Sequence, residues 1–211
     1  MRGRYRLLAV DLNCNKSVFM QAGITSDQAR EVLKKYIKEP ANLSHCRESE
    51  VIMRALAKRL SEDEELWGIA GLLHDIDWEL VLNDVDEHGV KMQEILKTEC
   101  VSDELTQVIV SHVGGFTKHF PENKRATKFE HALAAAETIT GLIFASTLVR
   151  PDKKIAAVEV KSIKKKMKDK SFAAKVNRDV IGECEQLGLS LDEFIEISLG
   201  AMKSIAAEIG L

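Results

Sequence analysis

The sequence is short of the residues that interrupt helices and of those that favour sheets. It has three prolines in 211 residues and only 5% aromatics. Proline cannot continue a helix, and aromatic residues are enriched in strands. Scarcity of both, with 45% hydrophobic residues, argues against a disordered chain or an all-β fold and predicts a helix-rich globule. An excess of one charge is missing too. The formal net charge of −3 predicts no nucleic-acid partner and no strong attraction to an anionic membrane. The four cysteines lie far apart with no CxxC pair, the pattern of reduced thiols in a cytosolic protein. No apolar run approaches the roughly 18 residues of a bilayer span. The apolar stretch in "MRGRYRLLAV" is too short for a secretory signal. The expectation is a cytoplasmic protein.

What the sequence does contain is helical periodicity. Residues 1–24 join no such pattern and are expected to be an N-terminal extension, a short strand or disordered. Residues 25–211 read as one all-α domain, long enough to bury a substantial core. Thr25-x-x-Gln28 is a capping box ahead of Ala29, Val32, Leu33, Tyr36 and Ile37. A second helix starts near Asn42 and carries Ile52, Leu56 and Leu60 on one face. Ser61-x-x-Glu64 is expected to cap a third. A fourth spans about Asp84 to Leu96, with Asp84 as its cap. A fifth spans Ser102 to Val113 and is halted by Gly114-Gly115. A long apolar helix runs from about Phe129 to Val149. A lysine-rich helical stretch and a helix boxed by Ser190-x-x-Glu193 close the chain.

Several titratable residues fall on the apolar faces of these helices. His45 shares a stripe with Ser49, Ile52 and Leu56. His88 precedes Met92 and Ile95 at helical spacing, and His112 follows Leu105, Val108 and Ile109. His74 and Asp75 end the third helix in "GLLHDIDWE", and Glu137 lies inside the most apolar helix. A single interior histidine is ordinarily a core residue with a hydrogen-bond partner. Imidazoles and carboxylates converging from five helices are instead the pattern that builds a metal site, because a buried carboxylate needs a compensating charge. His119, in a loop, and His131, on another face from Glu137, stay outside this set.

His45, then the His74-Asp75 doublet in "LLHDID", then an acid on a long helix resembles the HD-domain superfamily of metal-dependent phosphohydrolases. The resemblance covers about residues 45–149 and implies a helical bundle with its metal site in the core. "DEHGV" and "VIVSHVGG" resemble the extra histidines of branches that hold two metals, bacterial diadenosine tetraphosphate hydrolases among them. Carried over, His45, His74, Asp75 and Glu137 hold a first ion. Asp75, His88 and His112 hold a second, with Asp75 bridging. Two features depart from the family: His88 follows His74 sooner than is usual there, and Glu137 stands where the family has aspartate, adding a methylene to the carboxylate's reach.

The resemblance implies hydrolysis of a phosphate ester or anhydride of a nucleotide or related small molecule, by water activated on one or two divalent ions. Imidazole and carboxylate ligands suit Fe, Mn, Ni or Zn. Asp77 and Glu79 are candidates for orienting the ligands or for protonating the leaving group. Residues 150–178 carry a net charge of +8, leaving −11 for the rest. Within that block Lys161, Lys164, Lys168 and Arg178 share a rough face and are candidate phosphate contacts, although most charge runs are solvated surface. Two other readings use the same residues: a binding or signalling module with little turnover, and an oxygen-activating di-iron enzyme of the HD type.

Overall fold

The computed structural model describes residues 20–211; residues 1–19, most of the expected extension, lie outside the described residues. The remainder of that segment belongs to the fold. Ala22 O accepts the Ser102 N–H at 2.9 Å. Gly23, at φ +83°, packs so closely on Cys100 O that a Cβ there would stand 2.3 Å from it.

Among the described residues there are nine α-helices and no strand. Helix α1 (Ser26–Tyr36) begins at the expected capping box, with Thr25 and Gln28 each satisfying the other's backbone N–H. Helix α2 (Pro40–Leu60) starts earlier than Asn42, at a proline suited to the first helical position. It ends at Ser61 in the left-handed conformation. Ser61 therefore closes α2 rather than opening α3 (Glu64–Leu73), whose cap is Asp63, accepting from Glu65 N and Leu66 N. Helices α4 (Val90–Thr98), α5 (Asp103–Ser111) and α6 (Lys128–Leu148) follow. A reciprocal box of Thr127 and Glu130 opens α6. The lysine-rich stretch forms α7 (Val160–Lys168) and short α8 (Arg178–Gly182), and α9 (Leu191–Ser204) starts from Ser190. The expected fourth helix is shorter than its pattern. Residues 85–87 form a 3-10 turn, Asp84 makes no capping bond, and α4 begins only after Gly89.

The core lies among α2, α3 and α6. Every residue of α3 from Leu66 to Leu73 is buried, so this helix is apolar around its whole circumference. Ile52, Met53 and Leu56 of α2 are fully buried, each contributing about 1.5–3 kcal/mol relative to exposure. The α2–α3 seam is unusually close: a Cβ on Gly71 would lie 2.6 Å from Ser49 O. Nearby, Glu50, fully buried, is compensated by Arg30, Arg47 and Arg54. By length and composition α6 is long and apolar enough to cross a membrane, although its apolar residues form no unbroken run. Most of that window is buried here against neighbouring helices.

Candidate metal centre

Four imidazoles from four segments meet around one carboxylate. His45 comes from α2, and His74 from the end of α3, where helical backbone geometry persists through the cap. His112 caps α5. His88 lies not on a helix, as its spacing had predicted, but in the turn before α4, ahead of Gly89 at φ +88°.

The hydrogen-bond network assigns the tautomer of each ring. His74 Nδ1–H donates to Gly71 O at 2.9 Å, and His112 Nδ1–H to Ile109 O at 2.6 Å. His88 Nδ1–H donates to Asp77 Oδ1 at 2.8 Å. The Thr140 hydroxyl spends its hydrogen on Glu137 O at 2.6 Å, so its oxygen accepts from His45 Nδ1–H at 3.0 Å. All four Nε2 atoms therefore turn inward. His88 and His112 Nε2 each stand 3.5 Å from Asp75 Oδ1. His74 and His45 Nε2 stand 3.5 and 3.6 Å from Oδ2.

This arrangement asks for a cation. His45 and His74 Nε2 are 3.1 Å apart, and two lone pairs at that separation repel unless a proton or an ion lies between them. His112 Nε2 is buried without a hydrogen-bond partner. Donor atoms about 2.1 Å from a common metal, at angles between a right angle and tetrahedral, are about 3.0–3.4 Å apart; the separations here fall in or just beyond that range. In two groups the donor atoms all lie within 4.8 Å of one another: His45, His74 and Asp75, and Asp75, His88 and His112. The residues fit one or two divalent ions with Asp75 shared. Without an ion, a proton fills part of this role. Burial pushes His74 down, but the Asp75 charge carries it up to about 9. Burial and the neighbouring His74 hold His45 down to about 4. Burial raises Asp75, yet His74 and His112 together keep it well below the usual carboxylate range.

Glu137 joins neither group. It faces the same cavity, but its longer side chain turns back to accept a hydrogen bond from the adjacent Thr138 hydroxyl. Burial raises it to about 7. In this conformation it offers no donor atom to either group, whereas the expectation placed it in the first. Asp77 and Glu79 are corrected as candidate proton donors. Asp77 is fully buried and occupied by His88, Gly89 N at 2.9 Å and Met92 N at 3.0 Å; it orients a ligand and caps α4. Glu79 accepts from Lys38 N, Glu39 N and Asn42 Nδ2, anchoring the start of α2.

A cavity of about 370 Å³ opens over the centre. Trp78 meets the His88 ring edge-on at 5.3 Å between centroids, and Phe116 at 6.3 Å. None of the four expected phosphate contacts reaches it. Lys161 pairs with Glu159 and Lys164 with Asp192. Lys168 is exposed at the end of α7, and Arg178 binds backbone carbonyls. The lysine that does line the cavity is Lys175, which no helical pattern singled out. His119 and His131 stay outside the centre, paired with Glu87 and Glu183. Arg125 was also missed, lying in a loop without periodicity. It donates to the carbonyls of Ser111, His112 and Gly114 while Glu183 holds its other side.

No curated protein and no solved structure matches the chain. The HD domain matches it over residues 42–146, an interval that contains every residue of both ligand groups. With an all-α fold and a His-Asp centre of this kind, the chain belongs to the HD-domain superfamily of metal-dependent phosphohydrolases.

Proposed function

We propose that this protein hydrolyses a phosphate ester or anhydride of a nucleotide or related small molecule. The observation that carries the reading is the convergence of four imidazole Nε2 atoms on Asp75 at 3.5–3.6 Å. A divalent ion bound there would supply Lewis acidity and bring the pKa of a coordinated water down toward neutrality. The chain's own residues do the rest. Asp75 supplies the negative charge that makes the site hospitable to a cation. Gly71 O, Thr140, Asp77 and Ile109 O fix the rings in the tautomer that presents Nε2. Trp78 and Phe116 give the cavity an apolar wall that limits water around the reacting phosphate. The mixed imidazole and carboxylate donor set favours Fe, Mn, Ni or Zn over Mg.

The test is elemental analysis of freshly purified protein beside His74→Ala, followed by phosphate-release assays on a nucleotide panel after loading with each metal. Bound metal and phosphate release in the parent, both lost in the variant, support the reading. Failure to retain any ion under all loading conditions would overturn it in favour of a binding module. Oxygen-dependent turnover without phosphate release would overturn it in favour of oxygen chemistry.

A further inference from the structure

Residues 169–177 connect α7 to α8 and form one wall of the cavity. The loop is held by unusual means. The Arg178 guanidinium gathers four of its carbonyls: Ala173 O at 2.7 Å, Val176 O at 2.6 Å, Asp169 O at 3.3 Å, and Phe172 O. Asp169 closes the first turn by accepting from Ser171 N and Oγ. Lys166 Nζ stands 4.2 Å from the centre of the Phe172 ring, a cation–π contact that ties the loop to α7. At the other end the loop docks on α6, where Val176 fills the space left by Gly141: a Cβ there would lie 3.2 Å from Val176 Cγ2. Gly141 follows Thr140, the residue that orients His45. The loop is therefore registered to the metal centre through adjacent residues of α6.

This seating puts Lys175, Val176 and Asn177 on the cavity wall. Among the described lining residues Lys175 is the one lysine or arginine, despite the net +8 of the surrounding block. The rest of the upper wall is largely uncharged, with Trp78, Phe116 and Val180 prominent. A nucleoside triphosphate brings about four negative charges, which one lysine and the ions would have to balance. A single phosphoryl group on an uncharged body matches the supply better, and 370 Å³ is at the small end of ligand pockets, about 300–1,000 Å³.

Building on the phosphohydrolase reading above, we propose that Lys175 binds the phosphoryl group of a small phosphomonoester whose uncharged, apolar body lies against Trp78 and Phe116. Lys175 is exposed, so replacing it leaves the fold intact. The experiment compares Mn²⁺-loaded parent, Lys175→Ala and Lys175→Arg in two ways. Calorimetric titration with inorganic phosphate measures binding without turnover. Steady-state kinetics with p-nitrophenyl phosphate, a nucleoside 5′-monophosphate and the matching triphosphate measures the rest. For Lys175→Ala the expected result is unchanged metal content, phosphate affinity weakened about tenfold, and a KM raised by a similar factor with kcat within about threefold, the pattern of a lost charge-assisted contact to the substrate. Lys175→Arg should recover most of the loss. Monophosphates should exceed the triphosphate in kcat/KM.

Equal phosphate affinity and KM in parent and Lys175→Ala would overturn the role of Lys175 while phosphate release left the broader reading standing. Preference for the triphosphate would overturn the substrate class. A metal-loaded parent that neither binds nor releases phosphate would overturn both proposals together.

Discussion

The two candidate ligand groups share Asp75 but are braced differently. On the His45–His74 side the rings lean on uncharged oxygens, Gly71 O and the Thr140 hydroxyl, and the His45 side chain is 30% exposed. On the His88–His112 side both rings are nearly buried. There His88 rests on a buried carboxylate, and the backbone around His112 is clamped by Arg125, itself paired with Glu183. The side whose chain spacing departs from the family is thus the more heavily braced. Spacing is a weak guide to a ligand placed by turns rather than by a helix, and Asp77 compensates by holding the His88 ring and the start of α4 at once. The other side keeps the family's spacing, and its expected closing carboxylate, Glu137, lines the same cavity with its side chain turned to Thr138.

The residue shared by both groups carries the largest expected effect. Asp75→Asn keeps the shape and removes the charge. It should empty both halves, costing more than the about 10–100-fold in affinity expected when only a ligand's hydrogen-bond partner is lost. Elemental analysis that finds half the parent's metal in this variant would show that Asp75 serves one half alone. Next in size, Asp77→Ala should weaken the second half by about 10–100-fold while the first retains its ion. It strands one ring N–H and two backbone N–H groups, so stability should drop by about 2–4 kcal/mol. Metal titration and urea melts check the two effects separately.

A smaller effect concerns helix α2, which carries His45. Burial alone pushes Glu48 up to about 8. The native chain therefore keeps that proton after the unfolded chain has lost it near 4.5. Its contribution to stability is greatest below about pH 4.5, declines as pH rises, and is gone above about 8. Glu48→Gln should remove this slope, gaining about 2 kcal/mol or more at about pH 9 relative to pH 5, since each pKa unit is worth about 1.4 kcal/mol. Urea denaturation in the presence of chelator at both pH values measures it. The smallest change is expected from Glu137→Gln, which should alter metal affinity by less than about threefold, well below the loss expected at a ligand. A loss of tens of fold in a metal titration would show that Glu137 reaches an ion and that the first half is complete.

Helical periodicity exposed the architecture because α1, α5 and α6 bury one face or nearly all of their surface, and apolar spacing records burial directly. It located His45, His74, Asp75 and His112 for the same reason: each lies on or at the end of an apolar stripe. It misplaced His88 because a turn can mimic helical spacing over a few residues. Asp77 was singled out by its closeness to the His74-Asp75 doublet and not by periodicity, since an acid after a helix end looks the same whether solvated or buried. Arg125 and Lys175 were illegible because loops lack a period, and a run of lysines does not show which of them will face a cleft. Ser61 and Asp63 both suit a helix start; the left-handed turn at Ser61 decides between them only in three dimensions.

The near-contact of α2 and α3 at Gly71 has one more consequence. With only hydrogen at that position, the backbone of α3 packs directly against Ser49 O of α2, and the two helices hold the His45 and His74 Nε2 atoms 3.1 Å apart. A methyl group would act as a wedge, widening the gripping distance without touching either imidazole. The spacing between these two candidate donors is therefore set partly at a seam between two backbones, away from the imidazoles themselves.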